Sequence, residues 1–126
     1  MKRHADKPNV ISQEIKNLEP GRHYSIRMYT GDYQNMTQWQ IHNVSVQLRG
    51  SEIIPSQTIQ NAWEHQAEKE FGPKPMYPNY HRYVFKAVTS TAMLMISDWH
   101  SPTIPSAPVG QELTFNFIQV EPYLMP

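Results

Sequence analysis

Cysteine is missing altogether from this chain of 126 residues. Disulfides, thiolate metal sites and cysteine nucleophiles are thereby excluded. An excess of charge is missing too, since Lys plus Arg and Asp plus Glu both number 11. That balance argues against a nucleic-acid face or an acidic partner as the main business. No apolar run approaches the roughly 20 residues that a membrane-spanning helix needs. The polar opening Met1-Lys2-Arg3-His4-Ala5-Asp6-Lys7-Pro8 is not a signal peptide. Glycine is scarce, at five against eleven prolines and seven tyrosines. Such a composition suggests ordered turns and amphipathic contact residues rather than a linker.

What is present reads as strands. The segment 11–29 is strand, tight turn, strand: Pro20 presets φ at the second turn position, and Gly21 supplies the positive φ of the third. Apolar alternation then resumes at Tyr24, Ile26 and Met28, which predicts a hairpin. A polar loop carrying Tyr33 follows Gly31-Asp32. Val44, Val46 and Leu48 next share one face of a half-buried strand that closes at Gly50.

Residues 51–80 are the least regular part, with a helical turn expected at 60–69 inside an ordered crossover loop. Period two returns at 81–88, where Tyr83, Phe85 and Ala87 oppose Arg82, Val84 and Lys86. Ala92, Leu94 and Ile96 oppose Met93 and Met95 on the following strand, and the two strands read as a second hairpin. The last strand, 111–120, points Leu113, Phe115 and Phe117 inward. Its phase breaks between Phe117 and Ile118, which predicts a bulge or a switch of sheet. The expected fold is an all-β antiparallel sandwich with at most one short helix. Residues 1–9 read as a flexible N-terminal extension and 10–124 as a single domain.

Four stretches carry a resemblance: Leu18-x-Pro20-Gly21-x-x-Tyr24, His81-Arg82-x-x-Phe85, Ile96-Ser97-Asp98-Trp99, and the run from Gly110-Gln111-Glu112-Leu113 through Phe115-Asn116-Phe117-Ile118-Gln119-Val120. Together they resemble the galactose-binding-like jelly-roll domains, over roughly residues 10–124. Such domains serve as carbohydrate-binding modules appended to large secreted proteins of polysaccharide-degrading bacteria. The resemblance therefore implies a non-catalytic accessory domain, extracellular or periplasmic, within a longer chain. Family members often hold a structural calcium through an early Asn-Gly-x-Phe-Glu segment and a late acidic group. This sequence lacks the early segment and offers only Glu112 and Glu121, so no cofactor is expected.

The candidate residues follow from the chemistry of sugars, whose C–H faces stack on aromatic rings while amides, carboxylates and guanidinium groups bond the hydroxyls. Ligand-binding candidates are Tyr33, Trp39, Trp63, Tyr80, Arg82 and Trp99, with Tyr77 as a further aromatic. Arg27, Gln34, Asn35 and Asp98 are polar partners. The alternative for Trp39 and Trp63 is that they plug the core.

Six histidines, His4, His23, His42, His65, His81 and His100, show no metal-ligand spacing, so no metal site is expected. Asp98-Trp99-His100 is the most enzyme-like cluster. It lacks an identifiable nucleophile, and Asp98 reads better as a turn cap. No catalytic residue is assigned. The competing reading is a structural or assembly domain that packs on a neighbouring domain or self-associates through an open sheet edge.

Overall fold

The computed structural model describes residues 1–38, 40–63, 77–101, 103–104 and 108–124, with backbone alone at 60–63. Its strands are β1 (Val10–Ile15), β2 (His23–Asp32), β3 (Ser45–Arg49), β4 (Ser51–Ile53), β5 (Ile59–Trp63), β6 (Asn79–Ala87), β7 (Ala92–Ser97) and β8 (Leu113–Pro122). Among the described residues there is no α-helix, only a 3-10 turn at Pro55–Gln57. Residues 60–63 of the expected helical turn are strand, because Ala62 and Trp63 pair with Tyr80 and Asn79. The remainder of that turn, 64–69, lies outside the described residues.

Two antiparallel sheets pack as a sandwich. One has the order β1-β7-β3; the other has β4-β6-β2-β8, with β5 continuing β4 along the same edge of β6. Alternation puts Ile26, Met28, Tyr83, Phe85 and Ala87 from the larger sheet against Val46, Leu48, Ala92, Leu94 and Ile96 from the smaller. Each such large side chain contributes about 1.5–3 kcal/mol by leaving water.

Neither expected hairpin is one. β1 pairs with β7, while β2 pairs with β6 and β8, so the Pro20-Gly21 turn is a corner between sheets. The turn itself has the anticipated form: the Arg22 N–H donates to Glu19 O at 3.0 Å, and Gly21 has φ 85°. What converts it to a corner is its docking on the next one. Leu18 N–H donates to Ser90 O at 2.9 Å, Gly21 N–H to Ala87 O at 2.7 Å, and Ala87 N–H to Arg22 O at 3.0 Å. β6 and β7 likewise lie in different sheets. Local turn chemistry specifies reversal of the chain; burial of both apolar faces decides which sheet each strand joins.

The expected bulge is present, with a consequence for Phe117. Register shifts between Arg27, opposite Gln119, and Tyr29, opposite Asn116, so Phe117 and Ile118 both face Met28. The extra residue reverses the phase, and Phe117, expected inward, is 75% exposed. Residues 1–9, expected as a flexible extension, are largely exposed but are anchored to the domain through Met1, Arg3 and Asn9. Lys2 bridges Glu112, and Arg3 is only 1% exposed.

Candidate functional site

At one end of the sandwich the termini of several strands converge on a buried polar network. Arg3 donates from Nε to Gln111 Oε1 at 2.8 Å, and from Nη1 to the carbonyls of Asn43, at 3.0 Å, and of Asp98. Burial lowers the pKa of this guanidinium, against the pull of Asp98 and Asp32. The Asp98 carboxylate accepts from Asn9 N at 2.9 Å and Asn9 Nδ2 at 2.7 Å. Asp98 thus ties the entry to β1 to the end of β7. His100, two residues further on, is exposed, while the Asp98 carboxylate is bonded to Asn9.

Asp32 ends β2 and organises the loop that follows. Its carboxylate accepts from Gln34 N at 3.1 Å, Asn35 N at 3.2 Å, Gln40 Nε2 at 3.0 Å and Gln111 Nε2 at 2.9 Å. Burial raises its pKa, yet these hydrogen bonds outweigh burial and hold it below the usual carboxylate range. Asn79 substitutes for a strand partner, accepting from His42 N at 2.8 Å and donating to Gln40 O at 2.9 Å.

Deeper in, the Thr30 hydroxyl lies 3.0 Å from His42 Nδ1 and 2.8 Å from His81 Nε2. One hydroxyl proton serves only one imidazole, so the other ring must donate its N–H to the Thr30 oxygen. Burial first, and His81 second, hold the His42 pKa down to about 4. The network ties loop to strand through hydrogen-bonded side chains, with Arg3 Nη2 buried without a partner among the described residues. Among the described residues, no group of three or more acidic or histidine side chains is placed to hold a metal ion.

The outer face of the larger sheet is built differently. Residues that alternate outward form cross-strand rows: Tyr80–Tyr29–Asn116 in one, Arg82–Arg27–Gln119 in the next, and Val84–Ser25–Glu121 beyond. The third row is covered. Tyr123 N–H donates to His23 O at 2.9 Å, and its hydroxyl reaches Gln57 Oε1 at 3.0 Å, so the side chain lies across β2 and β6. Val84, in this outward row, is 0% exposed, with Ile54 N–H donating to its carbonyl and Thr58 Oγ1 accepting from its N–H. Arg82 lies against the Tyr123 ring at 5.4 Å and donates to Gln57 O at 3.0 Å.

The first row is aromatic, with Tyr29 and Tyr80 half-buried. The Tyr29 ring is 5.4 Å from Tyr80 and 6.2 Å, edge-on, from Phe117. Phe117 has φ 56°, the left-handed region that disfavours bulky side chains. At the far end the Met36 side chain packs over Gly31, where a Cβ would come within 2.7 Å of its sulfur. Arg27 is committed to β8, 2.8 Å from Glu121 Oε1 and 3.0 Å from Gln119 Oε1.

Of the aromatic and arginine candidates from the sequence, the structure brings together Tyr80, Arg82 and Arg27 on this face. Trp99 belongs elsewhere: it is buried, and its indole N–H donates to His4 O at 3.2 Å, beside the polar network. Tyr33 is 67% exposed on the loop after β2, with no ring contact among the described residues. Gln34, Asn35 and Asp98 serve the polar end. Tyr77 donates its N–H to Met36 O at 2.9 Å. Trp63 ends β5 opposite Asn79, and its side chain, like Trp39, lies outside the described residues.

Tyr29 and Phe117 were not among the candidates. Tyr29 is legible in retrospect, because it alternates with the inward Met28 and Thr30. Phe117 is not, because its direction depends on the side of the bulge on which it falls. Comparison with family models, with curated proteins and with solved structures finds no match. The galactose-binding-like resemblance gains no support from them, and the fold assignment rests on the two-sheet geometry.

Proposed function

We propose that the aromatic part of the outer face, with Tyr29, Tyr80 and Phe117 as ring platform, binds saccharide without catalysis. The observation that carries this reading is Phe117. An aromatic side chain left 75% exposed adds little to the core, and its left-handed backbone costs on the order of 1–2 kcal/mol. A cost kept at an exposed aromatic, edge-on to a second ring, fits recognition better than folding. Asn116, Gln119 and the arginines supply hydroxyl partners beside the rings. Under this reading the eight strands in two antiparallel sheets form a jelly roll of the galactose-binding-like kind, serving a larger secreted protein.

Isothermal titration against a panel of plant, algal and microbial polysaccharides tests it. Binding is expected, with loss on Phe117→Ala; a folded protein that binds none of the panel removes the proposal.

A second reading has one observation in its favour. Among the described residues β2 is the one strand that pairs with β8; Met1 meets its other edge at Leu113, and beyond that no strand covers the edge, where Ile118 and Val120 are exposed. A free edge is a template for another chain, although the bulge at Phe117 interrupts its regularity. Light scattering on the full chain discriminates: a dimer that dissociates on Val120→Lys supports assembly, and a monomer at all concentrations counts against self-association.

A further inference from the structure

We infer that the saccharide taken by this face is acidic, carrying carboxylates that Arg82 receives. The inference rests on the reading of the aromatic face as a saccharide site and adds the charge of its ligand. Adjacent same-face rows of a strand are about 7 Å apart. A sugar ring lying on the Tyr80–Tyr29 row therefore directs its substituents onto the row of Arg82 and Arg27.

That row is unbalanced. Arg82 and Arg27 are directly opposite each other on neighbouring strands, an arrangement that is unfavourable for like charges. The two guanidinium groups turn apart, Arg27 toward Glu121 and Gln119 on β8, Arg82 toward Gln57 past the other side of β6. Glu121 thus compensates Arg27. No carboxylate lies within ion-pairing distance of Arg82 among the described residues.

Arg82 is nevertheless held in place, by the Gln57 carbonyl and the Tyr123 ring. One of its five donors is committed to Gln57 and the Nε is buried, so the remaining Nη hydrogens are the ones a ligand can meet. A guanidinium ordered in advance, with donors to spare, suits a bidentate carboxylate and loses little freedom on binding it. The anion also relieves the repulsion between the two cross-strand cations. A neutral sugar would leave that repulsion as it stands.

The test uses the full chain with polygalacturonate, alginate and hyaluronan, each beside its carboxyl-reduced, neutral form, in titration calorimetry at low and at physiological salt. At least one acidic polymer is expected to bind about tenfold or more tightly than its neutral form, the effect of one charge-assisted contact. The preference should shrink with salt. Arg82→Gln should reduce it to near parity while binding of the neutral form persists, and Arg82→Lys should retain part of it. Thermal unfolding of each variant checks that the 3-10 turn at Pro55–Gln57 survives.

Equal binding of acidic and neutral forms, or an acidic preference that survives Arg82→Gln, overturns the inference and leaves the saccharide reading in place. Failure of the acidic and neutral forms alike, together with no binding across the wider panel, removes both.

Discussion

The two polar-rich regions of this sandwich have opposite designs. At the end built on Arg3, Asp32 and Asp98, charged groups are buried and held by hydrogen bonds from several elements. On the outer face of the larger sheet, aromatic and cationic groups lie at or near the surface, one of them on an unfavourable backbone and another, Arg82, without an ion pair among the described residues. The first arrangement is what a loop end needs to hold its shape, because an unsatisfied buried polar group costs about 1–3 kcal/mol. The second adds little to folding. Polar residues alone do not mark a site here; what separates the regions is that one buries its polar groups in a hydrogen-bonded network and the other presents aromatic and cationic groups on a sheet face.

The contrast can be broken at its strongest point with Arg3→Ala. Removing this guanidinium strands Gln111 Oε1 and the carbonyls of Asn43 and Asp98, and should cost about 3–5 kcal/mol of stability by chemical denaturation. Saccharide affinity of the folded fraction should be unchanged. A loss below about 1 kcal/mol would show that the network is not what holds this end together.

A second test uses acid. The folded pKa of His42 lies near 4 against 6.5 for the free side chain, so the unfolded chain takes up the proton first. Stability is therefore present above pH 6.5 and falls as pH drops toward 4, by up to about 3 kcal/mol. Asp32, whose pKa is lowered, adds loss of the same sign at still lower pH. Denaturation midpoints from pH 7 to pH 4 measure this slope, and His42→Gln should flatten it.

On the aromatic face the effects on folding should be smaller and those on binding larger. Tyr29→Ala removes two ring contacts worth about 0.5–1.5 kcal/mol each, and should abolish saccharide binding. Phe117→Gly sharpens the comparison furthest. Glycine relieves the positive φ while losing the edge contact with Tyr29, so stability should change by about 1 kcal/mol or less. Binding should still be lost. If this variant is much less stable, Phe117 belongs to the fold and the distinction between the two regions fails.

Much of this architecture was legible along the chain. Period-two patterns located six of the eight strands, the Pro20-Gly21 turn has the anticipated geometry, and the phase break at Phe117-Ile118 is a bulge. β4 and β5 were less legible, because three and five residues offer too few alternations to stand out from a loop. Arg3 gave no signal, since nothing periodic surrounds it. Trp99 had the residue type expected of a binding aromatic but folds beneath His4. Tyr80 and Arg82 were anticipated as contact residues; Tyr29 and Phe117, beside Tyr80, were not.

The sequence by itself determined that the chain forms an all-β sandwich, because alternation and turn residues act over neighbours within a few positions. Tertiary structure alone decided that the apparent hairpins are corners, since sheet membership is settled by which apolar faces meet. It also decided which polar residues are spent. Asp32 is consumed by Gln111, 79 residues away, while Arg82 finds no carboxylate at all among the described residues. Pairing of this kind depends on distances through space, which local pattern does not encode.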